Sequence, residues 1–254
     1  MVAPSDAPWL TFEDVRPILE GASDLTIVLI GGQALNYWCQ VYADRVQELR
    51  EAAPFTSKDL DFCATKTEAP ELARRVRGRV KIATLDDNTP NSAVILYTDK
   101  SGTERQIDFL AQVAGLPDTK KLREGAIELG VKAGRIGQTV LVINPVQCLI
   151  CRAHNVVTLP RYYDTPHGRQ QLSASIHCAR EFIRDMTAKS PRDGLALVRQ
   201  VYDLAKHAVG IRLWHDEPPV DVFSCVEPLP GFGADFCEAR VSGEDSCARI
   251  STAS

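Results

Sequence analysis

The sequence predicts an α+β fold in three parts. A sheet with flanking helices spans residues 1–145, a helical domain 146–215, and an acidic tail rich in proline and glycine 216–254. Three observations carry this prediction. The first half alternates short apolar runs with helix-like segments, so strands and helices are interspersed. After Asn144-Pro145 the pattern changes to long helical periods only. Beyond Trp214, Pro218, Pro219, Pro228, Pro230, Gly231 and Gly233 interrupt any period, although Phe223, Phe232 and Phe236 argue that part of the tail packs.

Taken in order, Trp9 to Glu20 reads as a short helix, with Thr11 as its cap, Glu13 and Asp14 in its first turn and Pro17 limiting its length. Leu25 to Ile30 is continuously apolar and reads as a buried strand that ends at Gly31-Gly32. From Gln33 to about Ala52, Leu35, Trp38, Val41 or Tyr42, Val46 and Leu49 follow a helical period. A strand that passes through two glycines into a helix aims free backbone N–H groups at whatever lies beyond it, which suits a phosphate.

Pro54 stops that helix, and a strand follows to about Thr65. Glu68 to Arg77 reads as a helix and Val80 to Thr84 as a strand. Ala93 to Thr98 and Glu104 to Val113 form a hairpin joined through Asp99-Lys100-Ser101-Gly102. A helix over Asp118–Leu129 and a strand over Thr139–Ile143 complete the first half. Helices are then predicted over Val146–Val157, Gln170–Ala188 and Arg192–Val209.

The chemistry centres on Thr56-Ser57-Lys58-Asp59-Leu60-Asp61-Phe62. In a strand, residues two apart share a face, so Asp59 and Asp61 point one way while Leu60 and Phe62 point the other. Two carboxylates on one face repel, and a divalent cation removes the conflict. Asp108, on the strand that also carries Gln106, is placed to meet them from a different strand. Three such carboxylates suit two magnesium ions, one on a triphosphate and one on an attacking oxygen.

Composition is that of an ordinary globular chain, 44% hydrophobic and 24% charged. No apolar run approaches the roughly 20 residues of a membrane helix, and Met1 to Pro8 do not read as a secretory signal, so a cytoplasmic location without membrane partners is expected. The net charge of −4 excludes a strongly basic nucleic-acid binder. Residues 216–254 hold eight acids and two bases, which leaves 27 bases against 25 acids in the body. A mildly basic body accommodates an anionic ligand. The eight cysteines lie in a chain long enough to build a core without disulfides. Cys148 and Cys151 have metal-ligand spacing, yet no second pair stands beside them.

The order Gly31-Gly32, helix, Lys58-Asp59-Leu60-Asp61-Phe62 and then Ile107-Asp108-Phe109 resembles the DNA polymerase β-type nucleotidyltransferase superfamily, and within it the AbiEii-type, toxin-like branch. The resemblance covers residues 24 to 113. It implies a mixed sheet with flanking helices, and transfer of NMP from an NTP to a hydroxyl on an RNA 3′ end, a protein or a small molecule. It further implies that Gly31 and Gly32 hold triphosphate, that Asp59 and Asp61 bind Mg2+ or Mn2+, and that Asp108 completes the site and helps deprotonate the acceptor. Ser57 and Lys58 are neighbours of the phosphate, and Arg152 is the basic residue of the helical half that would reach it. A toxin role would bring a cognate antitoxin as partner.

Two alternatives come from other classes. The fold could serve as a non-catalytic binding module acting through a protein partner, but three clustered acids have no use there. Arg161 and His167 are six apart, a spacing that resembles HEPN-type, metal-independent ribonucleases, although Pro166 breaks the continuous helix that pair requires.

Overall fold

The computed structural model describes residues 9–84, 86–87, 89–130, 139–159, 162 and 165–226. Among the described residues seven strands form one mixed sheet, in the order β3-β4-β5-β2-β1-β7-β6. The strands are β1 (Val28–Ile30), β2 (Leu60–Cys63), β3 (Arg79–Ile82), β4 (Asn91–Thr98), β5 (Glu104–Leu110), β6 (Ile127–Gly130) and β7 (Thr139–Val142). The central strands β5, β2, β1 and β7 are joined by parallel β5–β2 and β1–β7 pairings around an antiparallel β2–β1 pairing.

Helix α1 (Phe12–Ala22) opens with the capping box of Thr11 and Asp14 and continues through Pro17 rather than ending near it. The helix predicted over residues 33–52 differs in two ways. It begins earlier, as α2 (Gly31–Tyr42), so both glycines lie in its first turn. It also breaks after Tyr42, and a separate α3 covers Gln47–Glu51. The break turns Arg45 toward α7 (Pro166–Lys189), where its guanidinium meets Asp185 at 2.7 Å and Glu181 at 3.7 Å, while Val46 and Leu49 stay buried. Tertiary pairing thus overrides a period that reads as continuous.

The helix predicted over 118–129 is also corrected. Helix α4 (Ala69–Arg75) follows the predicted segment, but α5 is only Thr119–Glu124, capped by Asp118 and ended at Gly125. Residues 127–130 turn back as the edge strand β6, with Ile127 opposite Val142. Asn144 and Gln147 fix this reversal by donating to the carbonyls of Gly125 and Leu122 at 2.9 and 3.0 Å.

The second half holds α6 (Pro145–Thr158), α7, α8 (Pro191–Lys206) and α9 (Ala208–Trp214), then a 3-10 turn at Val222–Cys225. The single helix predicted over 192–209 therefore ends at Lys206, and a new one begins at Ala208. Asn144 and Gln147 form the capping box that starts α6. The indole of Trp38 on α2 donates to the carbonyl of Ile143 at 2.7 Å, tying α2 to the entry of the helical half. One continuous buried cluster runs from the sheet into α6 and α7. Residues 227–254, most of the predicted tail, lie outside the described residues. Among the described residues no helix is long and apolar enough to cross a membrane.

Candidate active site

Asp61 and Asp108 are register partners on the parallel strands β2 and β5. Their flanking residues explain why. Leu60, Phe62, Ile107 and Phe109 are all buried, and the rings of Phe62 and Phe109 pack at 5.9 Å. With that face committed to the core, alternation sends Asp61 and Asp108 together to the other face. Strand neighbours lie about 4.8 Å apart, so two like charges share one short stretch of sheet.

The same row continues to β1, where Ile30 is the register partner of Asp61. The next residue, Gly31, has φ of +69°, and a Cβ there would stand 2.9 Å from Cγ of Asp61. Only glycine lets the chain turn into α2 this close to the carboxylate. Ile30, the cap position of α2, supplies no side-chain hydrogen bond to the first turn, so the helix start is not closed by its own cap.

Ser57 packs against the second glycine, and a Cβ on Gly32 would come 2.6 Å from Cβ of Ser57. Two backbone hydrogen bonds of 2.9 and 3.0 Å join Ser57 to Leu10, and Gln33 donates to the carbonyl of Leu10 at 3.1 Å. The segment before α1 is therefore strapped beside the glycine turn.

Arg152 lies on α6 and is buried, at 4% exposure. Its Nη1 donates to Oε1 of Gln171 on α7 at 2.8 Å, and Nε2 of Gln171 approaches Gly32. Among the described residues no carboxylate forms an ion pair with Arg152. His167 stands one helical turn before Gln171 on α7. Burial pushes its pKa below the usual histidine value, and the charges of Arg152 and Lys58 push the same way. Its ring lies 4.7 Å from that of Trp9, and Nζ of Lys58 lies 5.1 Å from the same indole. Lys58 and Arg152 thus place positive charge near the start of α2, beside a His167 ring that burial and these two charges keep neutral.

Asp59 stands just ahead of β2 and is exposed, outside the ladder on which the face argument for it was based. Among the described residues no group of three or more His, Cys, Asp and Glu side chains is arranged to hold a metal ion. Asp61 and Asp108 form a pair, which suits Mg2+, since that ion is commonly held by one or two carboxylates and completed by phosphate oxygens and water.

No protein-family model matches the chain, and no curated protein matches it. Several solved structures are similar in chain arrangement, among them the following three. An antigenic nucleotidyltransferase-like protein from Paracoccidioides brasiliensis is 11% identical, with 75% of this chain and 94% of that one covered and a TM-score of 0.39. The antibiotic-resistance factor ANT(2'')-Ia is 14% identical over 77% of this chain and 95% of that one, at 0.39. JHP933 from Helicobacter pylori is 13% identical over 84% of both, at 0.38. The chemistry below rests on the residues of this chain alone.

Several side chains of the site carry no sequence motif. Gln171, Trp9 and Asn91 are brought in by packing, while His167 was named only for the ribonuclease alternative and Gln106 only as a strand neighbour of Asp108. The spacing of His167 and Gln171, four apart on one helix, and of Gln106 and Asp108, two apart on one strand, are the signals that could have grouped them. For the ribonuclease alternative, α7 starts at Pro166 with His167 in its first turn, and Arg161 lies outside the described residues. Cys148 and Cys151 are buried thiols on α6 rather than ligands, and burial pushes Cys151 up to about 12.

Proposed function

We propose that the chain is a metal-dependent nucleotidyltransferase that moves a nucleoside monophosphate from an NTP to a hydroxyl acceptor. The observation that carries this reading is Arg152. A buried guanidinium that meets no carboxylate among the described residues is costly, and an anionic ligand removes the cost. Through Gln171 it faces the Gly32–Ser57 contact, one glycine away from the Asp61–Asp108 pair.

In this reading the first-turn N–H groups at Gly31 and Gly32 cradle the triphosphate, with Ser57, Lys58 and Arg152 on its oxygens. Asp59, Asp61 and Asp108 would hold Mg2+ or Mn2+, which supplies charge neutralisation at the reacting phosphate. The acceptor oxygen forms a bond to the α-phosphorus, the bond from that phosphorus to the β-bridging oxygen breaks, and pyrophosphate leaves with the electron pair. Asp108 assists loss of the acceptor's proton. The protein's part is positioning and charge compensation, which is what phosphoryl transfer chiefly requires. The acceptor class is an RNA 3′ end, a protein side chain or a small molecule. A toxin role with a cognate antitoxin extends the resemblance to the AbiEii-type branch.

The test is incubation with each α-labelled NTP and Mg2+ or Mn2+ in the presence of total RNA or lysate, comparing wild type with Asp61→Ala. Label on RNA or on protein in the wild type, lost in the variant, supports the reading and names the acceptor. Neither binding nor transfer of any NTP with either metal overturns it.

A further inference from the structure

Asp108 is held by two amides. Nδ2 of Asn91 donates to its Oδ1 at 2.6 Å, and Nε2 of Gln106 donates to the same oxygen at 2.7 Å. Gln106 belongs to β5 itself and lies two residues before Asp108, on the same face. Asn91 comes from β4, the neighbour of β5 on the side away from β2.

A register irregularity puts Asn91 there. From Ala93 to Thr98 the β4–β5 ladder runs regularly, with Val94 opposite Asp108. Continued regularly, it would place Ser92 opposite Leu110, on the Asp108 face. Instead the register shifts between Asn91 and Ala93, and Asn91 takes the position opposite Leu110. The hydroxyl of Ser92 turns away to donate to the carbonyls of Phe109 at 3.1 Å and Ala64 at 3.3 Å. Bulges of this kind re-aim a side chain beside a functional site. Here the bulge exchanges a short hydroxyl for an amide long enough to reach the carboxylate.

We propose that Asn91 and Gln106 are positioning residues of the transferase site: their two amides clamp Oδ1 of Asp108 and so fix the plane in which this carboxylate meets the metal and the acceptor. The proposal rests on the nucleotidyltransferase reading and adds two residues to it. A carboxylate side chain has a broad terminal torsion, which two amide donors on one oxygen narrow. Two donors converging on one oxygen give it a single orientation. Partners of this kind, one shell removed from a metal, typically carry a 10- to 100-fold effect on metal affinity or activity.

Two pairs of variants test this. Asn91→Leu and Gln106→Met remove the donors with neutral side chains of similar size, and Asn91→Asp and Gln106→Glu remove them with nearly unchanged shape. All four are expected to lower kcat about 10- to 100-fold and to change KM for the NTP by less than about threefold, and the two neutral variants, which add no charge of their own, to weaken Mn2+ binding measured by electron paramagnetic resonance. A purely structural role would move the melting temperature and leave Mn2+ binding alone. Wild-type kcat and Mn2+ affinity in the folded variants overturn the proposal while leaving the transferase reading intact. Should the wild type transfer nothing, high-resolution structures decide: Asp108 keeping one rotamer in Asn91→Leu/Gln106→Met overturns the clamp, and Asp108 split between rotamers supports it. Gln106→Met alone serves if changes at the bulge prevent folding.

Discussion

The backbone of Gly31 lies directly against the carboxylate of Asp61. A methyl group added to Gly31 would stand 2.9 Å from Cγ of Asp61 and 3.0 Å from its Cβ, in a turn where φ is +69°. Sheet and helix are thereby joined with no space between the acid and the start of α2. The turn that aims N–H groups outward is the same turn that confines the carboxylate.

Gly31→Ala is therefore expected to displace Asp61 and reduce transfer about 100-fold, the usual consequence of moving a reacting group by about 1 Å. Gly102 is the control. Its φ is +83°, yet a Cβ there would meet nothing within 4 Å. Gly102→Ala should cost about 1–2 kcal/mol for the left-handed backbone and leave kcat unchanged. Denaturant melts and steady-state kinetics on both variants separate strain from contact.

Arg152→Met should act in opposite directions on stability and binding. Removing a buried charge that lacks a carboxylate is expected to leave the melting temperature unchanged or raise it. NTP affinity should fall about 10- to 100-fold, as a charge-assisted hydrogen bond of about 1.5–3 kcal/mol is lost. Calorimetric titration with an NTP and thermal melts of the same preparations check both.

His167 provides a spectroscopic signal for the site. Burial, Arg152 and Lys58 all hold its pKa below 6.5, so Lys58→Ala should raise it, and a bound triphosphate should raise it further. The sign for stability follows. The unfolded chain binds the proton more readily, so the apo protein is fully stabilised by this group above about pH 6.5 and loses that contribution as pH falls through the folded value. Titration of the His167 ring resonances by NMR, with and without NTP, reads the shifts directly.

Asp99 at the β4–β5 turn governs acid stability of the hairpin that carries Asp108. It accepts from Oγ of Ser101 at 2.6 Å, from Nε of the buried Arg105 at 2.8 Å, and from the amides of Thr103 and Ser101. The Ser101 hydroxyl and then Arg105 hold its pKa well below the usual carboxylate range. This depressed value contributes stability above about pH 4, and the contribution is lost as pH falls toward the folded value. Asp99→Asn should be destabilised by about 2 kcal/mol at pH 7 and show a flatter pH dependence below pH 4, measured by urea unfolding.

The alternation Leu60-Asp61-Phe62 was legible because a strand has only two faces and the core claims one of them, whereas Asp59 falls outside the strand. So was the hairpin that brings in Asp108, since apolar Ile107 and Phe109 flank it. The start of α2 was misplaced by two residues because glycine is disfavoured within helices, and only the close contacts of Gly31 with Asp61 and of Gly32 with Ser57 show why two of them stand there. The edge strand β6 was missed because Gly125 ends α5 only in concert with Asn144 and Gln147, about 20 residues later.

Local pattern by itself determined the mixed strands and helices of the first half, the helical second half and the identity of the acids, because alternation and helical period depend on near neighbours. Tertiary structure alone decided that Asp61 and Asp108 are register partners, that Arg152 is buried beside the glycine turn through Gln171, and that Asn91 and Gln106 grip Asp108. Those facts depend on strand register, on a bulge and on the packing of α6 and α7 against α2. The Asp61–Asp108, Arg152–Gln171 and Asn91–Asp108 contacts bring together residues 47, 19 and 17 positions apart, where no sequence period reaches.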